Sequence, residues 1–360
     1  MATTWFILLG FMLTMYVVLD GFDLGAGILH FVVAKRDDER RTVFASIGPV
    51  WDGNEVWLIA AGGLLVFAFP RVYAVAFSGF YLPLMLVLWL LVLRGISIEL
   101  RSHHTSTMWH AAFDAIFAVS STALAFVLGV ALGNVLRGVP IDQSGFFAAP
   151  LFTNFGITGP LGALDWYTIS VGAFAVATLA AHGAMYLRWK TGGELNVRAT
   201  RAAWRAWIAV VFLFALVTIL TAVVRPALLA HLADRPWLWL LPIAAIAGVA
   251  TVFLSLRRAI PRDDNAALVH TWERRGFIAS SVVIAALLLL TAGALYPLVL
   301  PSTVDAAYSL TVQGSANDDR GLAIGLVWWI PAIALAIGYF VYLFRSFRGK
   351  VSADDAYGGH

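Results

Sequence analysis

The sequence predicts an all-α polytopic membrane protein with about nine transmembrane helices. Three observations carry that reading. Of the 360 residues, 61% are hydrophobic and only 12% charged, where soluble domains run to about 25% charged. The mean hydropathy is +0.83. The apolar residues also fall into runs long enough to span a bilayer, with basic residues gathered at alternate junctions between them.

These runs lie at about 5–33, 48–69, 72–100, 111–135, 166–188, 204–225, 236–257, 275–300 and 321–346, and each approaches the roughly 20 residues that a crossing helix needs. The first continues past the length of a cleavable signal and lacks an A-x-A-like site, so it is expected to stay as a helix. Only "FPRVY" separates the second run from the third, a tight turn between antiparallel neighbours. Eighteen basic residues, among them Lys35, Arg36, Arg40, Arg41, Arg101, Arg188 and Lys350, gather on one side. Arg71, Arg137, Arg225, Arg235 and Arg320 face the other, and Arg94 lies within a span. The positive-inside rule then places the amino terminus outside and the carboxyl terminus in the cytoplasm.

Two outer loops interrupt the rhythm. The division expected is 1–135 as a first group of four spans with buried acids, 136–165 as an ordered outer loop, and 166–300 as a second group of four. An outer loop at 301–320, a ninth helix at 321–347 and a cytoplasmic tail at 348–360 complete it. The charged, Trp-bearing segments "HTWERRGF" and "KTGGELNVRATRAAWRAW" read as anchors at the headgroup layer.

Chemistry concentrates in the first two spans. In "MYVVLDGFDLGAGILHF", residues 15–31, Asp20 and Asp23 lie three apart inside an apolar run. A carboxylate at mid-bilayer costs roughly 2.5–3.5 kcal/mol on insertion scales. At the helical period, Tyr16, Asp20, Asp23, Gly27 and His30 form one polar stripe, while Gly21 and Gly25 at GxxxG spacing offer a neighbouring helix close approach. The second span opens with "GPVWDGNEVW", in which Asp52 and Glu55 repeat the three-residue acid spacing. Four carboxyl groups on adjacent helices suit a proton path, and a structural ion-pair network is the other reading. Arg94 is either their counter-charge or a snorkelling arginine.

The chain has no cysteine, which excludes disulfides, thiolate metal sites and covalent haem attachment through C-x-x-C-H. Its net charge of +3 does not imply nucleic acid, because the cations sit in short loops. His182 is the most buried histidine candidate, and no metal-binding spacing such as H-E-x-x-H appears. A core histidine is the expected role.

"DGFDLGAG", "RRTVFASIGPVWDGNEVWLIAAGG", "FPRVYAVAFSGFYLPL" and "ALYPLVLPST" together resemble subunit II of the cytochrome bd-type quinol oxidases, in order and over nearly the whole chain. The resemblance implies two four-helix bundles plus a peripheral ninth helix, paired with a haem-bearing subunit I. That partner would hold two b-type haems, one d-type haem and the quinol-oxidation site, and this chain none. The implied complex oxidises quinol, reduces O2 to water and draws its protons from the cytoplasm of a bacterial cell. The resemblance leaves room for a structural quinone and a small accessory subunit in the membrane. Asp52, carried over on the WDGN motif, would be the main acid of a proton route toward the oxygen-reducing haem. Glu55 and Asp23 would be nearby members, with Asp20 and Arg94 setting protonation states. Trp57 would line an oxygen path or serve simple packing. A proton-coupled secondary transporter is the alternative that buried acids and a glycine-interrupted helix also support.

Overall fold

The computed structural model describes residues 1–159, 161–258 and 266–352. The expected tail at 348–360 and the inner loop holding Arg262 therefore lie partly outside the described residues. The chain is helical nearly throughout. The helices are α1 (Ala2–Val33), α2 (Asp37–Ile47), α3 (Trp51–Ala68), α4 (Pro70–Gly79), α5 (Tyr81–Leu100), α6 (Thr107–Arg137), α7 (Trp166–Lys190), α8 (Gly193–Val224), α9 (Pro226–Asp234), α10 (Leu240–Arg258) and α11 (Ala266–Leu295). A two-stranded antiparallel ribbon, β1 (Leu298–Leu300) with β2 (Leu310–Thr311), leads through α12 (Val312–Ser315) to α13 (Asp319–Ser346).

Eight of these helices among the described residues are long and apolar enough to cross a membrane. The second span of the sequence reading, α3, falls short of that apolarity: it has only 18 residues, and Asp52, Asn54 and Glu55 occupy its opening turns. About nine spans therefore stands as the architecture. The third run does not form one helix. It breaks at Phe80 (φ −94°, ψ 21°) into α4 and α5, and Pro83, which lacks an N–H, sits in the first turn of α5. The basic junction at 35–41 is not a plain loop either. Three acids in its first turn, Asp37, Asp38 and Glu39, favour α2 there. "KTGGELNVRATRAAWRAW" likewise forms the opening turns of α8, with Leu195, Ala199 and Ala203 buried.

α1 is the organising element, packed on α3, α6, α7 and α11. Its crossing with α7 is glycine on glycine. A Cβ on Gly25 would collide with the Leu179 carbonyl and lie 2.7 Å from the Gly183 Cα, and a Cβ on Gly183 would meet the Gly25 backbone in turn. α13 is peripheral, with only Leu322 and Leu343 buried. The loops that follow α6 and α11 join each other: Val139 and Ser302 form a bridge, and Val139, Ile141 and Phe147 are buried.

Candidate functional site

The polar stripe of α1 faces three different helices. Arg94 of α5 donates to Asp20 Oδ1 at 2.6 Å and to Glu55 Oε2 at 3.2 Å. Asn54 Nδ2 donates to Asp23 Oδ2 at 2.7 Å. Asp20, Asp23, Asn54 and Arg94 have no solvent exposure, while the Glu55 side chain keeps 20%. Arg94 is therefore a shared counter-ion and not a snorkelling residue. Ser97, one turn on, bonds the Arg94 carbonyl at 2.6 Å.

Asp52 stands apart. It is the exposed residue of the first turn of α3, where the helix dipole favours a carboxylate, and makes no side-chain hydrogen bond or ion pair with a described residue. Its helical spacing from Glu55 places the two as neighbours, about 5–6 Å between Cβ atoms. Asp20 Oδ2, Asp23 Oδ1, Asn54 Oδ1 and Arg94 Nε are buried without a protein hydrogen-bond partner. Buried polar atoms of this kind are commonly satisfied by internal water.

A second ionic cluster occupies the far end of the same stripe. His30, the last member of that stripe, is fully buried and bonds Asp114 Oδ1 at 2.9 Å. Asp114 also accepts from Arg101 Nε at 2.6 Å and Arg40 Nη1 at 3.3 Å, and Arg101 reaches Asp37 at 2.7 Å. The sequence reading did not single out Asp114. A lone carboxylate in the apolar run "HAAFDAIFAV" was the signal that would have found it. Beside this cluster, Glu39 accepts from the Lys35 and Arg36 backbone N–H groups at 2.7 and 3.1 Å and pairs with Arg198. Burial raises its carboxyl, but these three donors outweigh that and hold it below the ordinary value.

Trp57 is buried, edge-on to Phe11 at 6.0 Å and tilted on Phe340 at 5.7 Å. It forms part of an apolar groove of about 560 Å³ between α1, α3 and α13, with Met12, Leu64, Trp329 and Ile333.

The family model for cytochrome bd terminal oxidase subunit II matches residues 1–347. The chain belongs to that family. It is 32% identical over 380 residues to the cytochrome bd-I ubiquinol oxidase subunit 2 of Escherichia coli (strain K12), covering 98% of this chain and 95% of that protein. It is 29% identical to the cytochrome bd ubiquinol oxidase subunit 2 of Bacillus subtilis (strain 168), covering 98% and 97%. The fold matches a chain of the bd oxidase structure from Geobacillus thermodenitrificans with a TM-score of 0.71 at 18% identity, over 96% of this chain and 98% of that one. As a subunit II, the chain is a multi-pass component of a respiratory oxidoreductase complex that contains haem and a subunit I. Family membership decides against the transporter reading.

His182, the buried histidine of the sequence reading, is not free to ligate haem. Both ring nitrogens of His182 are engaged, Nδ1 with Ser280 Oγ at 2.7 Å and Nε2 with the Val18 carbonyl at 3.0 Å, and the ring stacks on Phe277 at 5.0 Å. Among the described residues no group of three or more acids and histidines is placed to hold a metal ion.

Proposed function

We propose that this subunit II pairs with a haem-bearing subunit I as a quinol:O2 oxidoreductase and supplies its partner with protons drawn from the cytoplasm. The observation that carries this reading is the carboxyl cluster bridged by Arg94 one helical turn from exposed Asp52. Asp20 and Glu55 share the single Arg94 guanidinium, and Asp23, held by Asn54, adds a third carboxyl group one turn along α1; bound protons are what bring such a cluster to neutrality. Asp52 is the acid that water reaches. Glu55 is its neighbour along α3, and Asp23 and Asp20 extend the route across to α1. Arg94 sets the charge balance of the group.

In this reading the haems and the quinol-oxidation site belong to subunit I, and the Trp57 groove offers oxygen an apolar approach. The apolar groove beside Trp57 also has the character that would accept part of the isoprenoid chain of a structural quinone. The groups at 1–135 and 166–300 are the two four-helix bundles, and the amino terminus is outside.

The test is Asp52→Asn in the intact complex. Quinol-driven oxygen consumption is expected to fall by at least about tenfold, a modest part of what a positioned proton carrier contributes. The haem content, read from the reduced-minus-oxidised spectrum, is expected to stay unchanged. Wild-type turnover in a fully haem-loaded Asp52→Asn complex would overturn the assignment. Loss of haem together with turnover would make these acids structural.

A further inference from the structure

A cavity of about 340 Å³ lies where α7 and α13 end and α2 turns into α3. Its walls include Ser46, Val50, Trp189, Lys190, Phe344 and Arg348, and no acidic residue lines it. Lys190 is 5% exposed. Its ammonium has three N–H donors, of which one reaches the Phe347 carbonyl at 2.6 Å. It forms no ion pair with any carboxylate of the described residues. The Trp189 indole N–H is buried without an acceptor. Among the described residues Arg348 bonds only the Arg345 carbonyl, at 2.8 Å. Nearby Lys350 is already paired with Glu273 at 3.0 Å.

A buried ammonium without a counter-ion is costly, and one carbonyl with the Trp189 ring face at 5.6 Å does not repay its desolvation. Capping the last carbonyls of α13 accounts for the one bond of Lys190. It leaves the second free cation and the unpaired indole without a role. All three are donors and none is an acceptor, so what completes the cavity is an anion with several acceptor oxygens. The cavity lies at the level where two membrane helices end, and a tryptophan there sits at headgroup depth.

We propose that this cavity is a binding site for a phosphate-class oxyanion held by Lys190 and Arg348, with the Trp189 N–H as a third donor. A phospholipid headgroup and inorganic phosphate share that chemistry. Pockets of basic residues between helices at this depth suit lipid phosphates.

The experiment uses the intact oxidase complex in wild-type, Lys190→Met, Lys190→Arg and Arg348→Gln forms, after an extended detergent wash. Native mass spectra count retained phospholipid. Thermal midpoints are then read during a titration with inorganic phosphate, against chloride at equal ionic strength to remove simple screening. If the occupant is a lipid, wild type and Lys190→Arg retain one phospholipid more than Lys190→Met and Arg348→Gln. If it is free phosphate, no lipid is retained. Phosphate then raises the wild-type midpoint, and the half-effect concentration moves up about tenfold in Arg348→Gln, or 1.4 kcal/mol. Lipid retention and phosphate response that are the same in wild type and Arg348→Gln would overturn the proposal. Arg348→Gln keeps the test decisive should Lys190→Met fail to assemble, because Arg348 contacts a single backbone carbonyl.

Discussion

At the residue scale, burial forces each charged side chain to find its partner in three dimensions. Arg94 and Glu39 show the two ways this is done. Arg94 gathers carboxylates from two other helices, whereas Glu39 is an anion surrounded by donors: two backbone N–H groups and the Arg198 guanidinium. Removing one partner of such a buried pair costs about 3–5 kcal/mol, because it strands the other. The Glu39 carboxyl is held below its ordinary value, so its proton binds more weakly in the folded chain than in the unfolded one. The stability it contributes is complete above the unfolded carboxyl pKa of about 4.3 and fades as pH falls through the lower folded value. Glu39→Gln should therefore lower the thermal midpoint at pH 6. The gap to wild type should narrow as pH falls below about 4.5, as followed by thermal denaturation of the complex across that range. A gap independent of pH would show that Glu39 contributes shape and not charge. Much of this level was legible in the sequence. Asp20, Asp23 and Glu55 announced themselves as acids inside apolar runs, and the helical period put Asp20 and Asp23 on one stripe. The choice of partner was not legible, since Arg94 lies 74 residues from Asp20 and no local rule links them. Asp114 escaped notice because it stands alone, outside any repeated acid spacing, and its meaning depends on Arg101, Arg40 and His30 arriving from other elements.

At the scale of elements, the α1–α7 crossing sets the depth at which the acids of α1 meet their partners. Gly21 and Gly25 gave away the close face in advance, and Gly183, the residue after His182, is the other half of the contact. The sequence could not show that α7 rather than an adjacent span would be the neighbour. The prediction here compares two glycines of one helix. Gly25→Ala puts a methyl into the Leu179 carbonyl, and overpacking of this kind costs about 1–3 kcal/mol or more. Gly10→Ala meets only Ala292 Cβ at 3.7 Å, an ordinary contact, and alanine favours helix by about 1 kcal/mol over glycine. Gly25→Ala should lower the thermal midpoint and the yield of assembled complex, while Gly10→Ala leaves both unchanged or raises them. Equal behaviour of the two would mean that the helices part readily, and that the crossing does not fix the depth of the acid cluster. The break between α4 and α5 was less visible, because the apolar run continues straight through Phe80 and hydropathy does not register backbone conformation.

At the scale of the whole molecule, the direction of the chain decides which side of the membrane feeds Asp52. α3 begins at the end where α1 finishes, Arg36 precedes α2 and Arg40 and Arg41 lie on it, so Asp52 in its first turn belongs to the side richer in basic residues. The positive-inside rule predicts that this side is the cytoplasm. The chain has no cysteine, which allows the orientation to be read from single introduced thiols. Ser102, in the exposed turn after α5, and Gln143, exposed in the loop after α6, lie at opposite ends of α6. In intact cells a membrane-impermeant maleimide should label Gln143→Cys and leave Ser102→Cys untouched until the cells are permeabilised, with the unsubstituted complex as the background for any partner thiols. Labelling of Ser102→Cys alone in intact cells would invert the chain and place Asp52 on the outer side. Protons taken up there would not cross the membrane with the charge of the reaction, so the cytoplasmic proton route would fall even if Asp52→Asn slowed turnover. The expected pattern joins the exposed acid, the buried cluster and the basic junctions into one vectorial path, running from Asp52 inward past Glu55 to Asp20, which Arg94 holds on α1, and Asp23 beside it.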